Sequence, residues 1–493
     1  MRITRSKAKW GALLAVVLAF GGCTDEFESI NTNPNSPVAV PAATILTNAT
    51  IATAKHLSGW LNHTYTALWS QMFAKVQYID EDRYAFRPSN MNSFWSVSYL
   101  TMKDLDIVVK QAGEEGFTNI EAVARILLAY NFLTATDLWG DIPYSEALTA
   151  DQEGGTATPV YDSQQAIYAG LLGDLAAANM LFDAAGDDLD ALAGGDIVYS
   201  GDIAMWEKFA NSLALRILMR MSAVDAATAK AGIEMIVAMG MPIFESNADD
   251  AQVVYLTGQS HWNPLFSANY TRTDFAMSST MINVLQDAGR NDPRLPFYAQ
   301  PRVADDTYVG QPNGAVNNPQ ISDVSLIGTD FGYTNTAPQV FMSYAEVEFI
   351  LAEAALNGWA VGTAAEHYDA GIAASMDKVG VSGGDATTYM AESLVMYTGS
   401  PSAEQVGTQK WIALFPQGTE GFAEVRRTGY PSALVEPAGS AYPGDGLPRR
   451  FAYPEDEIAY NEANRAAAAA GITDDMYGKN VWWDLRTRGP SRM

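Results

Sequence analysis

Two successive segments, "SYAEVEFILAEAALNG" from Ser343 and "TAAEHYDAGIAASM" from Thr363, most constrain what this chain can fold into. Each opens on a hydroxyl residue followed three positions later by glutamate, Ser343–Glu346 and Thr363–Glu366, the pattern that starts a helix by satisfying its free N–H groups. Gly358 suits the end of the first helix, because glycine tolerates the left-handed conformation found there. The apolar residues Val347, Ile350, Leu351 and Ala354 recur at helical spacing and are expected to face Tyr368, Ile372, Ala365 and Gly371. A short turn between two such stripes predicts an antiparallel helical hairpin, the unit from which tetratricopeptide arrays are stacked.

The remaining body reads the same way. Thr118–Glu121 fits a capping box before a run that is apolar on two faces, Ile120, Val123, Ala124 and Leu127 with Ile126, Tyr130 and Leu133. Asp162, with Gln165 three residues on, is expected to cap a helix carrying Ile167, Leu171, Leu175 and Ala178. Trp206, Phe209, Ala210, Leu213 and Ile217 form another stripe. No clean repeat of about 34 residues runs through the chain, so any repeats are degenerate. Residues 255–340 and 385–455 are rich in Pro, Gly, Asn and aromatics and read as long loops, where function concentrates. The expected fold is mainly α, with little strand.

The N-terminus adds an address. Arg2, Arg5, Lys7 and Lys9 precede an uncharged apolar stretch, Trp10 to Phe20, too short to span a bilayer and typical of an export signal. Cys23 is the single cysteine and follows small residues directly, as in a bacterial lipoprotein whose thiol carries a lipid. Phe20 departs from the leucine usual in that pattern. The expected organisation is a signal peptide over 1–22, a lipidated tether over 23–40 and a folded body over 41–493.

Several chemistries are disfavoured. A net charge of −27 argues against nucleic-acid and anionic-lipid surfaces. His56, His63, His261 and His367 show no metal-ligand spacing, and no phosphate-binding or dinucleotide loop is present. "GVSGG" matches the G-x-S-x-G elbow only formally, since it follows a helix and not a strand, so Ser382 reads as a turn residue. Carboxylate pairs remain, but among 57 acidic residues proximity in sequence carries little information. No cofactor is expected, and catalysis is the minority reading.

"ATDLWGDIPYSEAL" (135–148) closely resembles a signature of the SusD/RagB-like nutrient-binding outer-membrane lipoproteins of Bacteroidetes. Residues 196–221, 341–358 and 410–431 are similar to further segments of that family, in the same order. The resemblance implies a helical fold with tetratricopeptide-like hairpins, a lipid anchor at Cys23 and a cell-surface position over a SusC-like TonB-dependent transporter. It implies capture of oligosaccharides, with peptides or other nutrients as the alternative; a non-binding scaffold for the transporter is a third reading. As a family signature, the Asp137–Asp141–Glu146 stretch reads as scaffold, with Asp137 and Asp141 accepting backbone or arginine hydrogen bonds. Arg426 and Arg427 are expected to pair with acids, and Phe94, Trp95 and Tyr99 to be core.

Neutral sugars are held by aromatic faces flanked by amides and charged hydrogen-bonding groups. Two loop-like segments have that mixture. "YIDEDRYAFRPSNMN" supplies Tyr78, Arg83, Tyr84 and Asn90, with Asp80, Arg87 and Asn92 nearby. "HWNPLFSANYTR" supplies Trp262, Asn263, Tyr270 and Arg272, after His261. Trp262 and Tyr84 are the expected stacking pair, both exposed.

Because a lipid contributes about 0.8 kcal/mol per buried CH₂ and no other anchor is legible, Cys23→Ser is expected to yield a folded protein released from the membrane. Fractionation in a strain lacking the transporter checks this, and full retention in the membrane contradicts it.

Overall fold

The computed structural model describes residues 40–316, 319–444, 446–472 and 476–486; Cys23 and the signal segment lie outside the described residues. The longer helices are α1 (Ala42–Ser58), α2 (Pro88–Glu115), α3 (Thr118–Trp139), α4 (Gln164–Asn179), α5 (Ile203–Arg220) and α6 (Ala226–Ala238). They are followed by α7 (Pro264–Thr271), α8 (Tyr344–Leu356), α9 (Ala364–Lys378), α10 (Ala403–Ala413) and α11 (Gly418–Thr428). Strands are confined to β1 (Phe73–Lys75), β2 (Ala251–Val253), β3 (Phe275–Met277) and β4 (Gln339–Met342). β1 pairs antiparallel with β3, Phe73 opposite Met277, and β2 pairs antiparallel with β4. The fold is mainly α. Successive helices pack as antiparallel neighbours, α2 on α3, α3 on α4, α5 on α6 and α8 on α9. The region read as loop over 385–455 contains α10 and α11, whose apolar positions are too few for the stripe test.

The expected hairpin forms, with a different face inward. Ala345, Phe349 and Ala352 pack with Tyr368 and Ile372, while Val347, Ile350, Leu351 and Ala354 join the main core. Gly371 permits the approach: a Cβ there would lie 2.9 Å from the Phe349 ring. Helix α8 has apolar residues on more than one face, so periodicity alone could not assign its neighbours.

Capping follows the same logic, with substitutions. Ser343 and Thr363 accept from the N–H groups of Glu346 and Glu366, so the hydroxyl half of each box is made. The Glu346 carboxylate goes instead to Arg216. At α3 the Thr118 box is not used; Asp188, arriving from a distant turn, accepts from the N–H groups of Asn119 and Ile120 at 2.9 and 3.0 Å. At α4 the cap is Ser163, because Asp162 is taken by the N–H groups of Tyr144 and Ser145. Ser382 caps a short helix, Gly383–Met390.

The signature stretch is scaffold. Trp139 is fully buried and donates to the Ala452 carbonyl at 2.9 Å. Gly140 turns the chain at φ +78°, a conformation glycine adopts without a Cβ penalty. Asp141 accepts from the Gln164 N–H at 2.9 Å, and Glu146 from that of Val160 at 3.0 Å. Asp137 receives Arg220 Nη1 and Trp483 Nε1, each at 2.9 Å, and the Tyr168 hydroxyl. Phe94 and Trp95 are core, and Tyr99, half-buried, donates to the Pro143 carbonyl.

Asp137 belongs to a buried ionic array. Arg216 pairs with Glu346 at 2.6 Å, Arg220 also pairs with Glu420, and Arg427 bridges Glu353 at 2.6 Å and Glu424 at 2.8 Å. Lys410 reaches Glu424 at 3.2 Å. Burial raises the Asp137 carboxyl, opposed by Arg220. Burial would also lift Glu424, but Arg427, Lys410 and Arg220 outweigh it and hold it well below the carboxylate range. Arg426 does not pair with an acid at ion-pair distance; it donates to the carbonyls of Phe422, Arg449 and Asp137 and stacks on the Phe422 ring at 4.0 Å.

Removing one partner of a buried pair costs about 3–5 kcal/mol, because the other charge is left unpaired. Asp137→Ala is therefore expected to lose stability on that order in urea unfolding. The fraction that remains folded should bind ligand normally. Normal stability with abolished binding would make the stretch a site after all.

Candidate functional site

The β1–β3 pairing draws the two aromatic segments together. Beyond β1 the ladder is extended by a bond from the Val76 N–H to the Asp274 carbonyl at 2.9 Å, which sets Gln77 and Tyr78 beside Arg272 and Asp274. Arg272 grips Asp274 through two bonds of 2.6 and 2.5 Å, and its guanidinium lies 4.6 Å from the centre of the Tyr78 ring. Gln77 Nε2 donates to Asp274 at 2.7 Å. Asp274 is thus occupied on both sides, while Tyr78 and Arg272 stay exposed. A tyrosine face backed by a cation is a fixed, solvent-facing surface.

Helix α7 supplies the rest. Pro264 at its first position and Asn263 as its cap define its start; the Asn263 side chain accepts from the N–H groups of Leu265 and Phe266. Trp262, Phe266 and Tyr270 recur every four residues and so line one face. Their ring centres are 4.9 Å (Trp262–Phe266), 5.6 Å (Phe266–Tyr270) and 5.0 Å (Trp262–Tyr270) apart. Trp262 Nε1 donates to the Thr257 carbonyl at 2.9 Å, fixing a half-buried indole, and Tyr270 is 63% exposed. The three near-equal separations make a compact aromatic cluster, whose last residue, Tyr270, lies two positions before Arg272, the residue that covers Tyr78.

Four of the sequence-predicted residues do not present themselves to solvent in this way. Tyr84 is 1% exposed, correcting its reading as an exposed platform: the chain reverses there at φ +66° and turns the ring inward, edge-on to Trp69. Arg83 donates to the Gly439 carbonyl at 2.6 Å and packs against Gly314 and Gly439. Asn90, in the first turn of α2, donates to the Tyr65 hydroxyl at 2.9 Å. Asn263 is buried and also donates to the Ala337 carbonyl at 3.0 Å. The turn preceding Tyr84 is held by Asp82, whose carboxylate accepts from the N–H groups of Lys75 and Gly314 and from Asn313. Burial pushes Asp82 up to about 6.

Two residues escaped the sequence reading. Phe266 completes the cluster; it lies in a segment read as loop, where its four-residue spacing to Trp262 and Tyr270 was the available signal. Trp60 is 62% exposed. Ser58, two residues before it, bonds the Tyr255 hydroxyl, and His63, three after, packs on Phe275 at 4.9 Å. In sequence, a lone tryptophan carries no sign of such exposure.

The surface is suited to stacking on apolar faces and to hydrogen bonding at its rim. Asp274, the carboxylate paired with Arg272 beside Tyr78, is held by Arg272 and Gln77. Burial also divides the residues by expected cost. Tyr84→Ala should lose about 3–5 kcal/mol of stability, as for other buried aromatics. Tyr270→Ala should stay within about 0.5 kcal/mol of wild type. Thermal melts of both variants check the assignment, and equal losses would contradict it.

A family model described as "Starch-binding associating with outer membrane", SusD-like, matches residues 34–454. Among solved structures, a chitin-binding protein superposes with a TM-score of 0.79 at 28% identity, covering 90% of this chain and all of its own. A chitin-binding SusD homologue from Flavobacterium johnsoniae gives 0.76 at 25% identity, covering 90% of this chain and 99% of its own. A SusD-like protein from Bacteroides thetaiotaomicron gives 0.77 at 26%, covering 91% and 100%. No curated protein sequence matches.

Proposed function

This chain belongs to the SusD-like family, described as starch-binding and associated with the outer membrane, and we propose that it captures oligosaccharides at the cell surface and passes them to a SusC-like TonB-dependent transporter. The observation that carries the reading is the aromatic cluster Trp262–Phe266–Tyr270, with the Arg272–Tyr78 pair that follows it on β3 and β1. Aromatic faces stack on the C–H faces of sugar rings, and Arg272, Gln77 and the tyrosine hydroxyl supply hydrogen bonds to ring hydroxyls. Tyr78, Trp262, Tyr270 and Arg272 are the proposed contacts. Two of the solved relatives are described as chitin-binding, which makes chito-oligosaccharides the first probe and malto-oligosaccharides the second.

The proposed role is binding without chemistry. Cleavage by paired carboxylates would need two of them flanking the scissile bond, and Asp274 is committed to Arg272 and Gln77. Attachment through a lipid on Cys23, with the tether following it, would hold the body at the outer surface.

A solvent-facing aromatic cluster contacts one side of a ligand, so micromolar to millimolar affinity is expected, about −8 to −4 kcal/mol. Trp262→Ala or Tyr270→Ala should each cost on the order of 1–3 kcal/mol of that total. Calorimetry with both oligosaccharide series measures it, and product analysis after long incubation should show intact ligand. Binding of peptides in place of either series would favour the alternative receptor reading, and no binding at all the scaffold reading.

A further inference from the structure

A second cavity lies away from the aromatic cluster, between the helix Ser279–Leu285, the turn that follows it, and the start of α10. Its volume is ≈480 Å³, within the range of about 300–1,000 Å³ typical of small-molecule sites. Its walls are tied in place. The Leu394 N–H donates to the Gly289 carbonyl at 2.8 Å and Asn291 Nδ2 to Glu392 at 3.0 Å, strapping one side. Gln405 Nε2 donates to the carbonyls of Val395 and Met396 at 3.1 and 2.8 Å, holding the other.

Arg290 lines this cavity. Among the described residues its guanidinium makes no ion pair, and its buried Nε has no hydrogen-bond partner. Of the carboxylates nearby, Asp292 takes Arg294 at 2.6 Å and Glu392 takes Asn291, whereas Asp287, with one oxygen on the Gly289 N–H at 2.9 Å, and Glu404 line the cavity itself. Among the lining residues Arg290 is the one cation, so it is the group there on which a ligand's anionic part could sit. The lining is also rich in groups that a simple inorganic anion would not use. Asp287 and Glu404 accept hydrogen bonds, Thr408 offers a buried hydroxyl, and Leu394 and Pro431 offer apolar surface.

We propose that this cavity is a second ligand site, specific for an acidic monosaccharide unit such as a uronate, with its carboxylate on Arg290 and its hydroxyls on the surrounding carboxylates and hydroxyls. The two carboxylates on the rim disfavour sulfate or phosphate, which present acceptors only, and favour a ligand that pairs one anionic group with several O–H donors. The site is independent of the aromatic cluster.

The test is saturation-transfer NMR on the full folded body with D-glucuronate, D-galacturonate, D-glucose and sulfate. Both uronates should show saturation that sulfate at equal concentration does not displace, and D-glucose should bind at least about tenfold more weakly. Arg290→Gln, which breaks no existing bond, should abolish the uronate signal without moving the melting temperature. Leu394→Trp, which fills the cavity from its exposed rim and leaves Arg290 intact, should do the same, and it carries the test if the first variant misfolds. Trp262→Ala should leave uronate binding unchanged, so failure of the aromatic cluster and failure of this site are distinguishable. Absence of uronate binding, its persistence in Arg290→Gln, equal binding of glucose, or displacement by sulfate each overturns the assignment.

Discussion

Arg216 and Arg220 stand one turn apart on α5 and are buried to 3% and 1% exposure, which no guanidinium tolerates alone. Their partners therefore have to arrive from elsewhere in the chain. Asp137 comes from the end of α3, Glu346 from the first turn of α8, and Glu420 from the first turn of α11. Lys410 and Arg427 extend the same array through Glu424 and Glu353 into α10 and α11. A hydrophobic contact tolerates sliding, whereas a bidentate pair in low dielectric does not. Five helices distant in sequence are thereby held in one arrangement. The array need add little net stability, since pairing mainly offsets desolvation; its contribution is positional.

The site inherits that position through a short chain of contacts. Helix α11 packs on the π-helical turn Leu61–Thr66: the Gly418 N–H donates to Asn62 at 2.8 Å, and Thr66 bonds Thr419 at 3.1 Å. The approach is close enough that a Cβ at Gly418 would lie 2.4 Å from the Ala67 Cα. That turn leads directly into β1, whose pairing with β3 places Tyr78 against Arg272. Loops that look irregular in sequence are thus fixed to the rigid part of the molecule. Asp82 and Asn313 clamp the segment between β1 and α2 in the same manner.

The long helices were legible because apolar period and hydroxyl caps are local signals, whereas α7, α10 and α11 lay in segments read as loops; the scaffold role of the 135–148 stretch followed from its recurrence as a family signature. Neighbour choice was not, since α8 has apolar residues on more than one face and the Phe349–Gly371 contact depends on a missing side chain. Caps supplied from afar, such as Asp188 at α3, leave no mark near the helix they start. The site divides similarly. Trp262, Tyr270, Arg272 and Tyr78 lay in segments whose composition pointed outward, and all four keep solvent contact. Tyr84 came from the same composition but turned inward at a left-handed residue, a reversal that sequence does not announce. Trp60 was not singled out, since a lone tryptophan in sequence carries no sign of its exposure.

Rigidity and openness together set what the aromatic cluster can do. Trp262 is pinned by its indole N–H, and Arg272 by two bonds to Asp274, so little side-chain freedom remains to be lost when a ligand arrives. That favours affinity. Exposure acts against it, because rings facing solvent cover only one side of a sugar and leave its other face hydrated. Pre-organisation lets such a surface discriminate ring faces without enclosing them, while incomplete burial keeps dissociation fast. In the proposed role of handing a ligand onward, that combination matters more than tight binding: each added kcal/mol of capture would be a kcal/mol to overcome at transfer. The ionic array, the β1–β3 clip and the open cluster are therefore parts of one physical solution, a stiff support for a deliberately incomplete site.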